Sequence, residues 1–184
     1  VTSLRRCARC KLLYRAPTTS PEESSRFYQE DYTEGFATQV PSSDTLSDMK
    51  ATGFKHTPRD FSRYVEVFYT LNIPRGAKVL DFGCSWGYGS WQIAQKGYSV
   101  SGFEVSVKRA EYAKQMLGIP VETEIDQLRG NYDVFFSRHC LEHVPVVSRV
   151  LRRAMKLLKP GCIFYAIVPN GSLQYRHIHP KEWN

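Results

Sequence analysis

Five short apolar segments alternate with helix-forming segments between residues 60 and 168, and this order constrains the fold more than any other feature of the sequence. Strands are predicted at residues 78–82, 98–104, 121–125, 132–137 and 162–168. Helices are predicted from Asp60, as an N-terminal cap, to residue 71, and then over residues 88–97, 106–117 and 141–158. Such alternation is typical of a parallel sheet with helices on both faces. The sequence therefore predicts an α/β fold with a doubly wound, mostly parallel sheet.

The first 59 residues differ in character from the rest of the chain. They show poor hydrophobic periodicity, and they contain prolines, many serines and threonines, and scattered aromatic residues. Aromatic residues at this density argue against plain disorder. We therefore predict an N-terminal arm over residues 1–59, with short helical pieces that pack onto the following domain or over its site. The α/β domain is predicted over residues 60–184.

A glycine-rich turn follows the first predicted strand of the α/β domain. It is not a dinucleotide turn, because Ser85 and Tyr88 stand where that pattern requires glycines, and it lacks the Gly-Lys-Ser/Thr of a phosphate loop. Asp81 at the strand end would repel a pyrophosphate and attract an ammonium group. Glu104 ends the next strand, 21 residues after Gly83, where an acid can accept hydrogen bonds from both hydroxyls of a ribose. An ammonium group together with a ribose describes S-adenosylmethionine.

The chain resembles the class I S-adenosylmethionine-dependent methyltransferases over about residues 60–171. The matching segments are LDFGCSWGYGS at 80–90, GFEVS at 102–106, YDVFFSRHCLEHV at 132–144 and LKPGCIFYAIVPNG at 158–171. The resemblance implies a Rossmann-like fold with the cofactor at the carboxyl ends of the strands. The cofactor-binding residues that it implies are Asp81, Gly83, Cys84, Ser85, Gly87, Glu104, Val105, Glu124 and Ser137, with Ile125 as an alternative to Glu124. Ser85 departs from the family pattern, which usually has a glycine there.

The resemblance also implies a role for each part of that site. The first turn would hold the methionine part of the cofactor, Glu104 would bind the ribose, and Val105 would pack on the adenine. Glu124 would lie near the adenine edge. The end of the fourth strand, at Ser137, would form the floor under the transferring methyl group.

His139 and His143 follow the fourth predicted strand and are the candidate catalytic residues. Methyl transfer to oxygen or to an acidic carbon requires removal of a proton, and histidine is the side chain most easily poised for that near neutral pH. The alternative is that Leu-Glu-His-Val begins a helix and that its side chains only hold the loop. Arg138 could bind an anionic substrate or could be solvated.

Cys7 and Cys10 form a Cys-x-x-Cys pair. Structural zinc requires four ligands, and the chain has no second pair, so the sequence assigns no metal ligands. Segment 7–32 is nevertheless similar to the end of a zinc ribbon and linker found before some methyltransferase domains that act on sugars or related metabolites. Zinc therefore remains open as a second cofactor, with an incomplete ligand set in this chain.

Two features of the sequence bear on cellular location. The longest apolar run, at residues 162–168, is far too short to span a membrane, so we expect no membrane partner. Five cysteines are an odd number without a dense framework, which predicts thiols in a reducing compartment. The expected location is therefore cytoplasmic.

The acceptor is less constrained than the cofactor. The formal net charge of +7 favours anionic partners, and four cations recur at helical spacing at Arg149, Arg152, Arg153 and Lys156. Aromatic residues suited to single-stranded nucleic acid are missing there, and so is the Asp/Asn-Pro-Pro-aromatic motif of base-amino methyltransferases after strand four. A small-molecule acceptor, such as a sugar or related metabolite, is therefore favoured. The alternatives are an RNA- or DNA-directed methyltransferase and a cofactor-binding module without turnover.

Few residues follow the fifth predicted strand. By the resemblance, a helix and two further strands should come next, the last pair antiparallel, but residues 169–184 supply only 16 positions. We therefore expect strands six and seven to be absent or truncated. The chain would then be a fragment, or a partner chain, a second copy of the chain or part of the arm would cover the edge of strand five.

Overall fold

A computed structural model describes residues 3–32 and 39–179. Residues 3–51 contain β1 (Ser3–Arg6), β2 (Leu13–Ala16), α1 (Pro21–Arg26), a π-helical turn (Phe27–Asp31) and α2 (Ser43–Ala51). Residues 62–122 contain α3 (Ser62–Thr70), β3 (Lys78–Phe82), α4 (Tyr88–Gln95), β4 (Ser99–Phe103), α5 (Val107–Leu117) and β5 (Val121–Glu122). The remainder contains β6 (Tyr132–Arg138), a 3₁₀ turn (Leu141–His143), α6 (Val147–Leu157), β7 (Leu158–Ile167) and α7 (Leu173–Ile178).

A five-stranded parallel sheet forms the centre of the molecule, with strand order β5-β4-β3-β6-β7. The chain runs outward from β3 to β5 on one side and returns to build β6 and β7 on the other. The strand order therefore reverses between β3 and β6, which is where open α/β sheets bind ligands. The predicted α/β, doubly wound parallel fold is confirmed.

The expectation that strands six and seven are absent or truncated is wrong. Seven strands occur in the described residues, because β1 and β2 pair as an antiparallel hairpin in the arm, where only helical pieces were predicted. The sixth and seventh strands of the chain, β6 and β7, are inner and edge strands of the sheet. The hairpin was missed because a strand pair with little burial has no alternation of apolar and polar residues.

The predicted helix over residues 141–158 is divided in the structure. A 3₁₀ turn ends before Val144, which is extended with ψ 122°, and α6 begins only at Val147. Pro145 explains this division, because proline disfavours helical geometry in the residue before it and cannot donate to an earlier turn. The fifth strand also begins earlier than predicted, directly at Leu158, with an irregular register before Ile163.

The two faces of the sheet carry separate parts of the core. Val79, Val100 and Phe136 point toward α3 and α4, where Phe68 meets the Phe136 ring edge-on at 5.5 Å. Leu80 and Phe135 point the opposite way, toward α6. Because side chains alternate along a strand, Asp81 lies on the same face of β3 as Val79. This places Asp81 beneath α3 and α4.

The boundary between arm and domain at residues 59 and 60 stays a prediction. Leu46 in α2 and Phe54 lie within the predicted arm, yet both are almost fully buried. Their cluster includes Trp86 and Tyr88 of the glycine-rich turn, and the rings of Phe54 and Tyr88 are 5.5 Å apart. Part of the arm therefore packs against the turn, as the density of aromatic residues predicted.

Candidate active site

Asp81 is a buried carboxylate at the carboxyl end of β3. Its side chain is 5% exposed, and its Oδ2 accepts a 2.6 Å hydrogen bond from the Ser90 hydroxyl on α4. Burial raises the pKa of Asp81 to about 6, although Ser90 and the nearby Arg138 favour the ionised form. A negative charge held at this depth is costly unless a cation approaches it. The position therefore suits a cationic ligand group.

Glu104 is a second buried carboxylate, directly after β4. Its Oε2 accepts from the Ser85 amide and its Oε1 accepts from the Ser106 amide, both at 2.9 Å. Burial raises the pKa of Glu104, while the two amides and Arg109 oppose that shift. Glu104 thus joins the glycine-rich turn to the start of α5, and each carboxylate oxygen retains a further lone pair for a ligand.

The glycine-rich turn between these carboxylates has a backbone that requires small residues. Gly83 and Gly87 adopt left-handed φ angles of +83° and +80°, and Ser85 adopts +52°. A Cβ at Gly83 would lie 2.4 Å from the Cys140 sulfur, so no side chain fits there. Ser85 also has a left-handed φ, a conformation that is less strained for glycine than for a residue with a Cβ. This explains why the family usually has glycine at this position.

Cys84 contributes a wall of the site and is not a reactive thiol. Its side chain is buried, and burial raises the thiol pKa well above its ordinary value, so the sulfur is neutral. The sulfur packs against Gly102 on β4, where a Cβ would lie only 2.6 Å from it. Cys84 therefore fixes the spacing between the turn and β4.

The carboxyl end of β6 carries the remaining predicted residues. Ser137 is 1% exposed, and its side chain lies beside the Cys140 thiol. His139 has a left-handed φ of +47°, and its Nδ1 lies 3.6 Å from Glu142 Oε1. His143 Nε2 lies 3.9 Å from the same oxygen. Both imidazoles are about half exposed beside this shared carboxylate.

A cleft opens beside Asp81. Its walls come from α3, the glycine-rich turn, α4 and the end of β6, and its lining residues are Phe61, Tyr64, Val65, Asp81, Gly83, Cys84, Gly89, Ile93, Phe136 and Arg138. Asp81 and Arg138 are the two lining residues with charged side chains. The cleft therefore presents one negative and one positive group to a ligand.

The N-terminal arm reaches the other end of the site. Gln29 Nε2 donates to the Val105 carbonyl at 2.6 Å, and Gln29 Oε1 accepts from the Val107 amide at 3.2 Å. The Arg109 guanidinium lies 4.5 Å from the centroid of the Tyr32 ring, and its Nη2 is buried without a partner among residues 3–32 and 39–179. The arm thus crosses the loop that follows β4, beside Glu104.

Replacing Gln29 with alanine should detach the π-helical turn from this loop. Two hydrogen bonds of about 0.5–1.5 kcal/mol each would be lost, so amide exchange over residues 20–32 should quicken about tenfold. Hydrogen–deuterium exchange read by mass spectrometry measures this change. Glu30→Ala is the matched control, because it alters the next residue of the same turn. Equal exchange in the Gln29→Ala variant and the unaltered chain would contradict the anchoring role of Gln29.

Val105 and Glu124, the two residues predicted to border the adenine, have different surroundings in the structure. Val105 is half-buried, and its carbonyl already receives Gln29. Glu124 follows β5 with an exposed side chain, while its backbone carbonyl accepts from Gln127 at 3.0 Å. The described contacts thus bring Asp81, the turn and Glu104 together, but they do not join the Glu124 side chain to them.

Several residues of the site could not be identified from the patterns in the sequence described above. Ser90 holds Asp81, Gln29 holds the loop after β4, and Arg109 lies under Tyr32 near Glu104. Ser90 and Arg109 are polar residues in otherwise apolar helix faces, and that pattern could have indicated them. No local pattern marks Gln29, because its partners are more than 70 residues away in the sequence.

The Cys7–Cys10 pair lies at the tip of the β1–β2 hairpin. Backbone amides of Cys10 and Arg9 lower the pKa of the Cys7 thiol, and both cysteines are reduced. Within residues 3–32 and 39–179, no cluster of three or more His, Cys, Asp or Glu side chains could hold a metal ion. The similarity of this segment to a zinc ribbon therefore stays unconfirmed.

Two of the four regularly spaced arginines and lysines on α6 have structural partners. Arg149 pairs with Asp126 at 2.5 Å. Arg153 donates to the Ile125 carbonyl at 3.2 Å and also to the Leu128 carbonyl. These contacts hold the loop after β5 against α6, so only part of the predicted cationic face is available to an anionic partner.

The described residues suit S-adenosylmethionine, the cofactor that the resemblance implies. The site offers two buried carboxylates for an ammonium and a ribose, and a left-handed glycine that leaves room for close approach of a ligand. The buried Ser137 side chain lies at the floor of the same edge. These features fit the group.

No helix in the described part of the chain combines the length and the apolar character needed to cross a membrane.

Comparison with known proteins identifies the family of this chain. The family model for the methyltransferase domain matches residues 54–183. The chain is 33% identical over 141 residues to the ubiquinone biosynthesis O-methyltransferase of Bordetella avium, covering 59% of this chain and 58% of that protein. It is 34% identical over 96 residues to the enzyme of the same name from Pseudomonas aeruginosa, covering 47% and 41%. The chain thus spans about half the length of these relatives.

Solved structures show the same fold at low sequence identity. The plantazolicin methyltransferase BpumL in complex with S-adenosylhomocysteine has a TM-score of 0.53 and 16% identity, covering 80% of this chain and 57% of that one. The magnesium protoporphyrin IX methyltransferase of Synechocystis PCC 6803 has a TM-score of 0.51 and 20% identity, covering 73% and 66%. Together with the domain match, these findings show that the chain belongs to the class I S-adenosylmethionine-dependent methyltransferases.

Proposed function

We propose that this protein transfers the methyl group of S-adenosylmethionine to a small-molecule acceptor. The observation that carries the proposal is the pair of buried carboxylates, Asp81 and Glu104, at neighbouring strand ends on either side of a left-handed glycine turn. Buried carboxylates are uncommon unless they meet a cation or hydrogen-bond donors. The ammonium and the ribose hydroxyls of this cofactor supply both.

The chain's residues would hold the cofactor in three places. Asp81 would attract the ammonium, with Gly83, Cys84, Ser85 and Gly87 against the methionine part, and Glu104 would accept from the ribose hydroxyls. Val105 and Glu124 would border the adenine, and Ser137 would lie below the reacting centre. The cofactor supplies an electrophilic methyl group, so the protein's contribution is chiefly alignment and exclusion of water.

His139 and His143 are proposed to remove the acceptor's proton. They follow β6 at the ligand edge of the sheet and are exposed enough to meet an acceptor. Glu142 lies between the two imidazoles and would orient whichever ring acts. His139 is the stronger candidate, because it directly follows β6 and its backbone is held by a 2.9 Å hydrogen bond to Ile167.

A small molecule is the favoured acceptor, and a sugar or related metabolite is one class within it. The relatives named for ubiquinone biosynthesis support a small acceptor. A nucleic acid is less favoured, because Arg149 and Arg153 already bind the loop after β5. A cytoplasmic location and an assembly that covers the β7 edge also remain proposals.

Cofactor affinity should weaken as the pH falls through 6. Protonation removes the negative charge of Asp81, whose pKa of about 6 leaves about one tenth of the group ionised at pH 5. We expect S-adenosylhomocysteine to bind about tenfold more weakly at pH 5 than at pH 7.5, as measured by calorimetry. The Asp81→Asn variant should bind weakly at both values. An equal pH dependence in that variant would exclude Asp81 as its source.

The activity itself can be tested with methyl-labelled S-adenosylmethionine and a panel of acceptors. The panel contains catechols and other phenols, sugars, and RNA, and label in a phenol or sugar product supports the proposal. His139→Ala should reduce turnover at least about a hundredfold without changing affinity for S-adenosylhomocysteine, if His139 is the base. Label in RNA alone would favour the nucleic-acid alternative, and binding without transfer to any acceptor would favour a module without turnover.

A further inference from the structure

We propose that Arg138 binds the carboxylate of the cofactor's amino-acid end, so that Arg138 and Asp81 together recognise a zwitterion. The inference rests on the proposed function and adds a residue to its site. Cofactor-binding residues expected from the resemblance do not include Arg138, and the sequence alone left it between an anionic substrate and solvent. Its position in the cleft favours a third role, in the cofactor site.

Arg138 and Asp81 are brought to the same cleft by strand register. Asp81 on β3 pairs with Phe136 on β6, and Arg138 lies two residues beyond Phe136. Side chains two residues apart on a strand share a face, so Arg138 and Asp81 point to the same side of the sheet. Both line the cleft that opens beside Asp81.

The two opposite charges do not neutralise each other by direct contact. No ion pair joins Arg138 to Asp81 within the described residues, although Arg138 is near enough to favour the ionised carboxylate. Asp81 instead accepts from Ser90. The space between the charges therefore suits a ligand that carries an ammonium for Asp81 and a carboxylate for Arg138.

The guanidinium of Arg138 is held in place by ring stacking. Its central carbon lies 3.9 Å from the centroid of the Phe61 ring and 4.7 Å from that of Tyr64. These ring contacts fix the position of the guanidinium, and its N–H groups make no hydrogen bond to an acceptor in residues 3–32 or 39–179. A planar guanidinium of this kind is suited to bidentate binding of a carboxylate.

The position of the cleft favours the amino-acid end of the cofactor over an anionic group of the acceptor. Gly83 and Cys84, which belong to the turn expected to hold the methionine part, line the same cleft as Arg138. His139 and His143, the candidate acceptor-side residues, are not among its lining residues. A carboxylate bound here would therefore belong to the cofactor.

The test compares two ligands that differ only in this carboxylate. These are S-adenosylhomocysteine and its decarboxylated analogue, 5′-deoxy-5′-(3-aminopropylthio)adenosine, titrated calorimetrically into the chain and its variants at pH 7.5. Arg138→Gln should weaken S-adenosylhomocysteine at least about tenfold, because charge-assisted hydrogen bonds to the carboxylate are lost, and should leave the analogue within about twofold. Arg138→Lys, which keeps the charge without the planar fork, should give a smaller selective loss.

Arg63→Gln is the matched control. Arg63 also stacks on Tyr64, at 4.6 Å, and donates to the Tyr64 hydroxyl, but its side chain is exposed and does not line the cleft. We expect this variant to change neither affinity by more than about twofold. A selective loss in Arg63→Gln with none in Arg138→Gln would assign the carboxylate to the other arginine and overturn the proposal.

The proposal for Arg138 would also be overturned if Arg138→Gln and Arg138→Lys weakened the binding of both ligands equally. That result would indicate that Arg138 has a general structural role. If the unaltered chain bound neither ligand, the proposed function itself would fail. If it bound both ligands equally and no variant discriminated between them, the cofactor site would stand and only the role of Arg138 would fall.

Discussion

Gly83→Ala is expected to lower the free energy of unfolding by about 3 kcal/mol or more and to abolish cofactor binding. The new Cβ would lie 2.4 Å from the sulfur and 2.6 Å from the Cβ of Cys140. Overpacking of this kind costs about 1–3 kcal/mol, and the left-handed φ of +83° adds about 1–2 kcal/mol for a residue with a Cβ. Chemical denaturation followed by circular dichroism measures the change.

Gly118→Ala separates the steric effect from the backbone effect. Gly118 caps α5 with a comparable φ of +68°, but no atom lies within 4 Å of a Cβ built there. We expect it to cost only about 1 kcal/mol. The double variant Gly83→Ala with Cys140→Gly should recover part of the stability lost in Gly83→Ala, because it removes the colliding side chain. Equal costs at Gly83 and Gly118 would contradict the collision with Cys140.

Glu104→Gln is expected to weaken S-adenosylhomocysteine at least about a hundredfold. Hydrogen bonds to a charged group contribute about 1.5–3 kcal/mol each, and a ribose presents two hydroxyls. The substitution also places an amide donor against the amide of Ser85 or Ser106, both of which now donate to the carboxylate at 2.9 Å. The turn should therefore loosen as the ligand contact is lost.

Glu122→Gln provides the control for removal of a carboxylate at the same end of the strands. Glu122 lies on the neighbouring strand β5 with an exposed side chain, and its backbone carbonyl accepts from the Glu104 amide. Its replacement should leave affinity within about twofold, as measured by the same calorimetric titration. Thermal unfolding of both variants shows whether the Glu104→Gln chain is folded. A folded Glu104→Gln variant with unchanged affinity would remove Glu104 from the site.

The sheet and the two carboxylates could be predicted because their signals are local. A buried parallel strand is an almost continuous apolar run, as in Tyr132–Arg138, and a strand end followed by glycines marks the ligand edge. Asp81 is the last residue but one of β3, and Glu104 directly follows β4. Their position at the carboxyl edge of the sheet therefore follows from the order of the elements along the chain.

The parts that could not be predicted depend on long-range contacts or on weak periodicity. Gln29 is one polar residue among many in the arm, and only the folded chain brings it to Val105. Arg153 belongs to a stripe that resembles a solvated face, but it bonds carbonyls of the loop after β5. The β1–β2 hairpin exposes nearly all of its side chains, so its sequence carries no alternating pattern.

Calorimetric titration of the unaltered chain with S-adenosylhomocysteine tests most directly whether the edge formed by β3, β4 and β6 is a cofactor site. The arrangement of Asp81, the glycine turn and Glu104 predicts saturable binding at one site per chain, and loss of that binding in Glu104→Gln. Absence of saturable binding by the folded chain at millimolar ligand would contradict it.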